Sequence, residues 1–121
     1  MIGIGVDLVE VERFRTSIER TPGILDRCFT VDERAYAEKR RDPAERFAVR
    51  FAAKEAVMKA LGVGIGEVNL RDIEVVREEG GRPSLVLHGT AAARAAELGV
   101  TDWLLTMTHT ATMAEAIAVA R

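Results

Sequence analysis

The sequence predicts an α+β fold, a mainly antiparallel sheet with a long central helix, in one domain over residues 1–121. Three observations predict it. An apolar strand-like run opens the chain, and a close-spaced pair of such runs ends it. Helix formers run from Ala44 to Leu61. The later strand-like runs are joined too tightly for parallel crossovers, which need about a dozen residues or more, so they pair antiparallel.

Ile2 to Val9 is apolar with two glycines and one acid, and reads as a buried strand. From Glu10 the pattern turns helical, with Val11, Phe14 and Ile18 on one face; Pro22-Gly23 ends it. Thr30-Val-Asp-Glu33 reads as a capping box that opens a short helix toward Arg40. For the long helix, Asp42 is the expected N-cap, Pro43 the first helical residue and Glu45 the partner in a second box. Gly62 stops that helix, and Gly62 to Gly66 is a flexible loop. Asp72–Val76 and Ser84–His88 read as a hairpin turning at Gly80-Gly81. Thr90 caps a helix that runs to Leu98 and closes at Gly99. Trp103–His109 and Met113–Val119 form the last strand pair. Alternate alanines at 114, 116 and 118 allow close packing within or between chains.

The hydrophobic share is 48% and the charged share 30%, which excludes a disordered chain. A net charge of −2 argues against nucleic acid as the main partner. The opening residues lack the basic start of a signal peptide. The apolar stretch from Trp103 to Ala114 is shorter than the roughly 20 residues a membrane span needs. The one cysteine, Cys28, excludes an internal disulfide and fits a reducing compartment. A soluble cytoplasmic protein is expected.

Asp7 stands out, because a carboxylate in an apolar run needs a cation or donors. It either caps the next helix or binds a metal. A metal would need a second oxygen ligand, and Glu55 is the best placed. Glu55 with Lys59 is equally a surface i,i+4 ion pair. The glycine series Gly3-x-Gly5 and Gly62-x-Gly64-x-Gly66 lack the context of nucleotide-binding loops. His109, among the threonines of Thr106-Met-Thr-His-Thr110, either binds a phosphate or ribose or secures its turn. His88 and Cys28 read as structural. Arg13, Arg15, Arg20 and Arg27 follow the first helix and its sequel; they are either a solvated face or a docking patch for an acidic protein.

Together these segments resemble the phosphopantetheinyl transferases. Gly5-Val-Asp-Leu-Val-Glu-Val-Glu-Arg-Phe14 resembles their amino-terminal signature. Arg50-Phe-Ala-Ala-Lys-Glu-Ala56, continuing to Lys59-Ala-Leu-Gly62, resembles the central one. Asp72-Ile-Glu-Val75, Gly81-Arg-Pro83 and Thr106-Met-Thr-His109 are similar to later blocks. The length resembles the small holo-acyl-carrier-protein synthase type. That resemblance implies transfer of phosphopantetheine from coenzyme A to a serine of apo-acyl carrier protein, for fatty-acid or polyketide synthesis. It implies that Asp7 and Glu55 hold Mg²⁺, that Glu55 helps deprotonate the serine, and that Lys59 steadies the leaving phosphate. Arg50, His109 and Thr110 would contact the nucleotide end of coenzyme A, with Gly62, Gly64, Arg82 and Pro83 lining its site. Arg13 and Arg20 match the family's carrier-docking helix, and a homotrimer is implied. Thr106 departs from a common serine, and Gly23 from a common basic residue. Two other readings use the same residues: a magnesium phosphohydrolase acting on a nucleotide, and a non-catalytic binding module.

Overall fold

The computed structural model describes residues 1–77 and 81–121. Strand β1 (Gly3–Glu10) leads directly into helices α1 (Val11–Arg20), α2 (Gly23–Cys28) and α3 (Val31–Ala37). The long helix α4 (Ala44–Leu61) follows. A 3-10 turn (Leu70–Asp72) opens the hairpin β2 (Ile73–Arg77) and β3 (Pro83–Leu87). Helix α5 (Gly89–Leu98) and strands β4 (Trp103–His109) and β5 (Met113–Ala120) complete the chain. β1, β5 and β4 form an antiparallel sheet with β5 in the centre; β2 and β3 form a separate antiparallel ribbon. The predicted class and the long helix stand.

Side chains alternate across a strand, so each face of the three-stranded sheet has its own composition. The inner face carries Gly3, Gly5, Asp7 and Val9 of β1 beside Ala120, Ala118, Ala116 and Ala114 of β5. This face is small by design of the sequence, and α4 lies close against it. A Cβ built at Gly3 would sit 1.9 Å from the Ala60 carbonyl oxygen, and one at Gly5 1.9 Å from that of Ala56. The Gly3-x-Gly5 pair therefore serves backbone approach. Beyond the glycines, Phe14, Phe29, Phe47 and Phe51 stack in the second part of the core, with neighbouring centroids 4.9–6.4 Å apart. Such aromatic contacts stabilise beyond their buried area.

Several local expectations change. Pro22 does end α1, but it starts α2 at once as that helix's N-cap residue. The Thr30–Glu33 capping box is present, and α3 stops at Ala37, short of Arg40. The second box is absent. Pro43 holds the N-cap position of α4; Asp42 Oδ1 accepts from the Ala44 N–H at 3.4 Å while also pairing with Arg15, and Glu45 faces His109 instead of completing the box. Thr90 does not cap α5 by itself: His88 holds that position, and the Thr90 hydroxyl donates to Asp72. The hairpin strands begin and end one residue off the expected limits. Gly81 has φ +85, while the Gly80 half of the expected turn lies outside the described residues. Gly62 and Gly99 close their helices in the left-handed region, at φ +68 and +80.

Candidate active site

Asp7 is the third inward residue of β1, after the two glycines, so its carboxylate faces α4. Glu55 and Lys59 stand one helical turn apart on that helix. Lys59 Nζ donates to Asp7 Oδ1 at 3.2 Å and to the Val6 carbonyl at 2.9 Å. The Glu55–Lys59 pair of the surface reading is thus replaced by a link to β1. Asp7 and Glu55 line one cleft of about 600 Å³ with Arg13, Ile24, Cys28 and Phe51. Burial, and then repulsion from Asp7, push the Glu55 carboxyl above its usual range, against the pull of Lys59. Two carboxylates here carry more negative charge than one lysine balances. That donor set suits a hard divalent cation such as Mg²⁺, which takes one or two carboxylates and completes its shell with water and phosphate oxygens. Among the described residues no cluster of three or more His, Cys, Asp or Glu side chains could hold a metal unaided.

A second cleft, of about 450 Å³, is lined by Tyr36, Arg40, Arg46, Arg50, Arg77 and His109. The Arg46 and Arg50 guanidinium carbons lie 4.1 and 4.4 Å from the Tyr36 ring centroid. Arg50 is almost wholly buried, and its Nε has no hydrogen-bond partner. Burial holds it below the usual arginine range. His109 Nδ1 is 3.5 Å from Glu45 Oε2. Clustered cations with an unsatisfied buried donor make a receptor for an anion.

The other predicted site residues lie apart. Arg82 and Pro83 border a groove of about 370 Å³ with Trp103 and Thr106. Gly62 belongs to the end of α4, and the Gly64 N–H donates to Glu67. The Thr110 hydroxyl accepts from the N–H groups of Thr112 and Met113, at 3.2 and 3.0 Å, and so secures its turn. One copy of the chain brings together Asp7, Glu55 and Lys59, and separately Arg50 and His109. Arg13 is exposed at the first cleft, and Arg20 is exposed on the same helix. Arg15 on the same helix pairs with Glu12 and Asp42.

Sequence reasoning missed Tyr36 and the buried pair of Glu33 and Lys54, whose Nζ and Oε1 are 2.8 Å apart. Lysine in the alanine-rich middle of α4 was the available signal.

A carboxylate pair with a lysine, and a separate basic cleft, are the equipment of phosphoryl transfer. Residues 3–116 match the family model described as the 4'-phosphopantetheinyl transferase superfamily. The chain belongs to this family, and by class it is a phosphopantetheinyl transferase. It is 46% identical to holo-acyl-carrier-protein synthase from Moorella thermoacetica, over 98% of this chain and 93% of that one. The crystal structure of holo-acyl-carrier-protein synthase from Neisseria meningitidis superposes with a TM-score of 0.90 at 31% identity, covering 100% of this chain and 99% of the other. That of the Helicobacter pylori enzyme in complex with coenzyme A gives 0.85 at 27%, covering 98% and 99%.

Proposed function

We propose that this chain transfers phosphopantetheine from coenzyme A to the serine of apo-acyl carrier protein, with Asp7 and Glu55 as its magnesium ligands. The observation that carries the site is that Asp7 and Glu55 line one cleft and that Lys59 donates to Asp7 beside it. The likeness to enzymes named for this reaction, one of them holding coenzyme A, carries the substrates.

Mg²⁺ held there would neutralise charge on the diphosphate of coenzyme A. The serine oxygen attacks the phosphorus next to pantetheine, and the bond to the nucleotide phosphate breaks. Glu55 takes the serine proton; burial and Asp7 raise its basicity for this task. Lys59 already spends two of its three donors on β1, and it directs the third to the leaving phosphate. Arg50 and His109 bind the phosphate at the nucleotide end, where the buried Arg50 Nε gains its missing acceptor. Arg82, Pro83, Gly62, Gly64 and Thr110 extend the coenzyme A site. Arg13 and Arg20 on α1 receive the acidic carrier protein at the cleft mouth.

The functional unit is a homotrimer. The outer face of the three-stranded sheet supports this, since Ile4, Val6, Leu8 and Leu104 are all exposed on it. The separation of the clefts in one copy points the same way. Among the described residues no helix is long and apolar enough to cross a membrane. With the unpaired Cys28, this supports a cytoplasmic enzyme.

The test is the intact mass of apo-acyl carrier protein incubated with the chain, coenzyme A and Mg²⁺, beside a chelator control. A gain of one phosphopantetheine that the chelator abolishes is expected. A gain unaffected by the chelator would reject the metal site. Release of adenosine bisphosphate without modified carrier would favour the hydrolase.

A further inference from the structure

Glu33 and Lys54 are fully buried, and no step of the reaction uses them. Lys54 Nζ donates to Glu33 Oε1 at 2.8 Å, to the Leu70 carbonyl at 3.0 Å and to that of Ile73. It lies 5.3 Å from the centroid of the Phe29 ring. Glu33 Oε1 also accepts from the Thr30 N–H, and Oε2 from the Val75 N–H, both at 3.0 Å. One ammonium therefore gathers α4, the segment between α2 and α3, the start of α3, the 3-10 turn and β2.

Stability alone is a weak reason for such a pair. Taking two charges out of water offsets most of their attraction, and apolar replacements of a buried pair are often neutral or better. Its location supplies a stronger reason. Lys54 directly precedes Glu55, and Phe29 directly follows Cys28; Glu55 and Cys28 both line the first cleft. At 3.6 residues per turn, Lys54 is about 200° around α4 from Ala56, the residue that meets Gly5. The glycine contact sets how near the helix comes to the sheet. The lysine, on the far side, sets how the helix is turned. A rotation of about 20° would carry a side-chain tip about 2 Å at the radius of a helix. Displacements of about 1 Å can cost a hundredfold in rate.

We propose that the Glu33–Lys54 pair is a positioning device that fixes the rotation of α4 and so aims Glu55 at Asp7. It rests on Glu55 being a metal ligand. The test is the double variant Glu33→Gln/Lys54→Met, which removes both charges at similar volume and keeps an amide oxygen for one of the Thr30 and Val75 N–H groups. Three quantities are read: the melting temperature, kcat and KM for coenzyme A from carrier modification, and Mn²⁺ affinity by electron paramagnetic resonance with coenzyme A present. The expected result is a folded variant with kcat down about tenfold to a hundredfold. Mn²⁺ binding weakens at least as clearly, and KM for coenzyme A stays within about twofold because Arg50 and His109 face the other cleft. Parent-like kcat and Mn²⁺ affinity in the folded variant would overturn the proposal. So would a loss that only tracks the melting temperature. If the double variant is unfolded, Glu33→Gln alone is judged by the same quantities below its own transition. Glu55→Gln runs alongside; full activity in that control rejects the site reading and this proposal with it.

Discussion

The chemistry of Glu55 follows from what surrounds one carboxyl group. Burial and the neighbouring Asp7 raise its pKa, so the fold binds that proton more tightly than the unfolded chain does. The resulting contribution to stability is complete below the ordinary glutamate value and is lost as pH rises through the raised one. At neutral pH and without metal, the ionised side chain is therefore a cost of keeping the site. Glu55→Gln is expected to melt above the parent near pH 7 in chelator, to converge with it near about pH 4, and to lose transfer. Scanning calorimetry across that range, with the carrier-mass assay, checks both halves. A lower melting point at neutral pH would contradict the balance of charges described here. Much of this was legible in the residues, because an acid in an apolar strand calls for a cation and only a few partners were available. The direction of Lys59 was not. Its bond to Asp7 depends on β1 and α4 crossing at one place, and spacing along a helix carries no information about the strand beside it.

Elements meet here through very small contacts. β1 and α4 approach so closely that the Ala56 carbonyl occupies the space of a Gly5 side chain. Gly5→Ala is expected to cost about 1–3 kcal/mol or more through overpacking, and to depress transfer by moving Asp7 away from Glu55. The opposing atom belongs to the backbone, so Ala56→Gly should not rescue it; recovery in the double variant would refute the close approach. Element types were readable where local signals agree. The 3.6-residue pattern of α1, the capping box of α3 and the left-handed glycines ending α4 and α5 all correspond to what formed. The errors fall where a tertiary partner took the expected cap. His109 draws Glu45, and Asp72 draws Thr90, while Asp42 keeps a bond to the Ala44 N–H beside its pair with Arg15. The Glu45 and Thr90 roles were plausible locally and lost to groups distant in sequence. Gly3-x-Gly5 teaches the same lesson, since only the packed helix explains why two glycines stand there.

At the scale of the whole molecule, the two faces of one sheet divide the work. The inner face, with its glycines, alanines and Asp7, is closed by α4. On the outer face Ile4, Val119 and Leu104 lie in one register row, with Val6, Ile117 and Thr106 in the next. Four apolar side chains exposed together on β1 and β4 favour association over solvation. The alternation of alanines was visible in the sequence, but not which face a neighbouring chain would cover. The proposed trimer can be tested without touching any site residue. Ile4 and Val6 are both exposed on β1 and line neither of the two clefts nor the groove at Arg82 and Pro83, so Ile4→Lys/Val6→Lys changes the surface of a single copy by only a few tenths of a kcal/mol per position. In the assembly, it buries like charges against apolar neighbours. Light scattering is expected to find the parent as three chains and the variant as one, with transfer falling as the assembly is lost. A variant that stays assembled and active would place the interface elsewhere. A monomer with full activity would show that one chain completes the coenzyme A site alone.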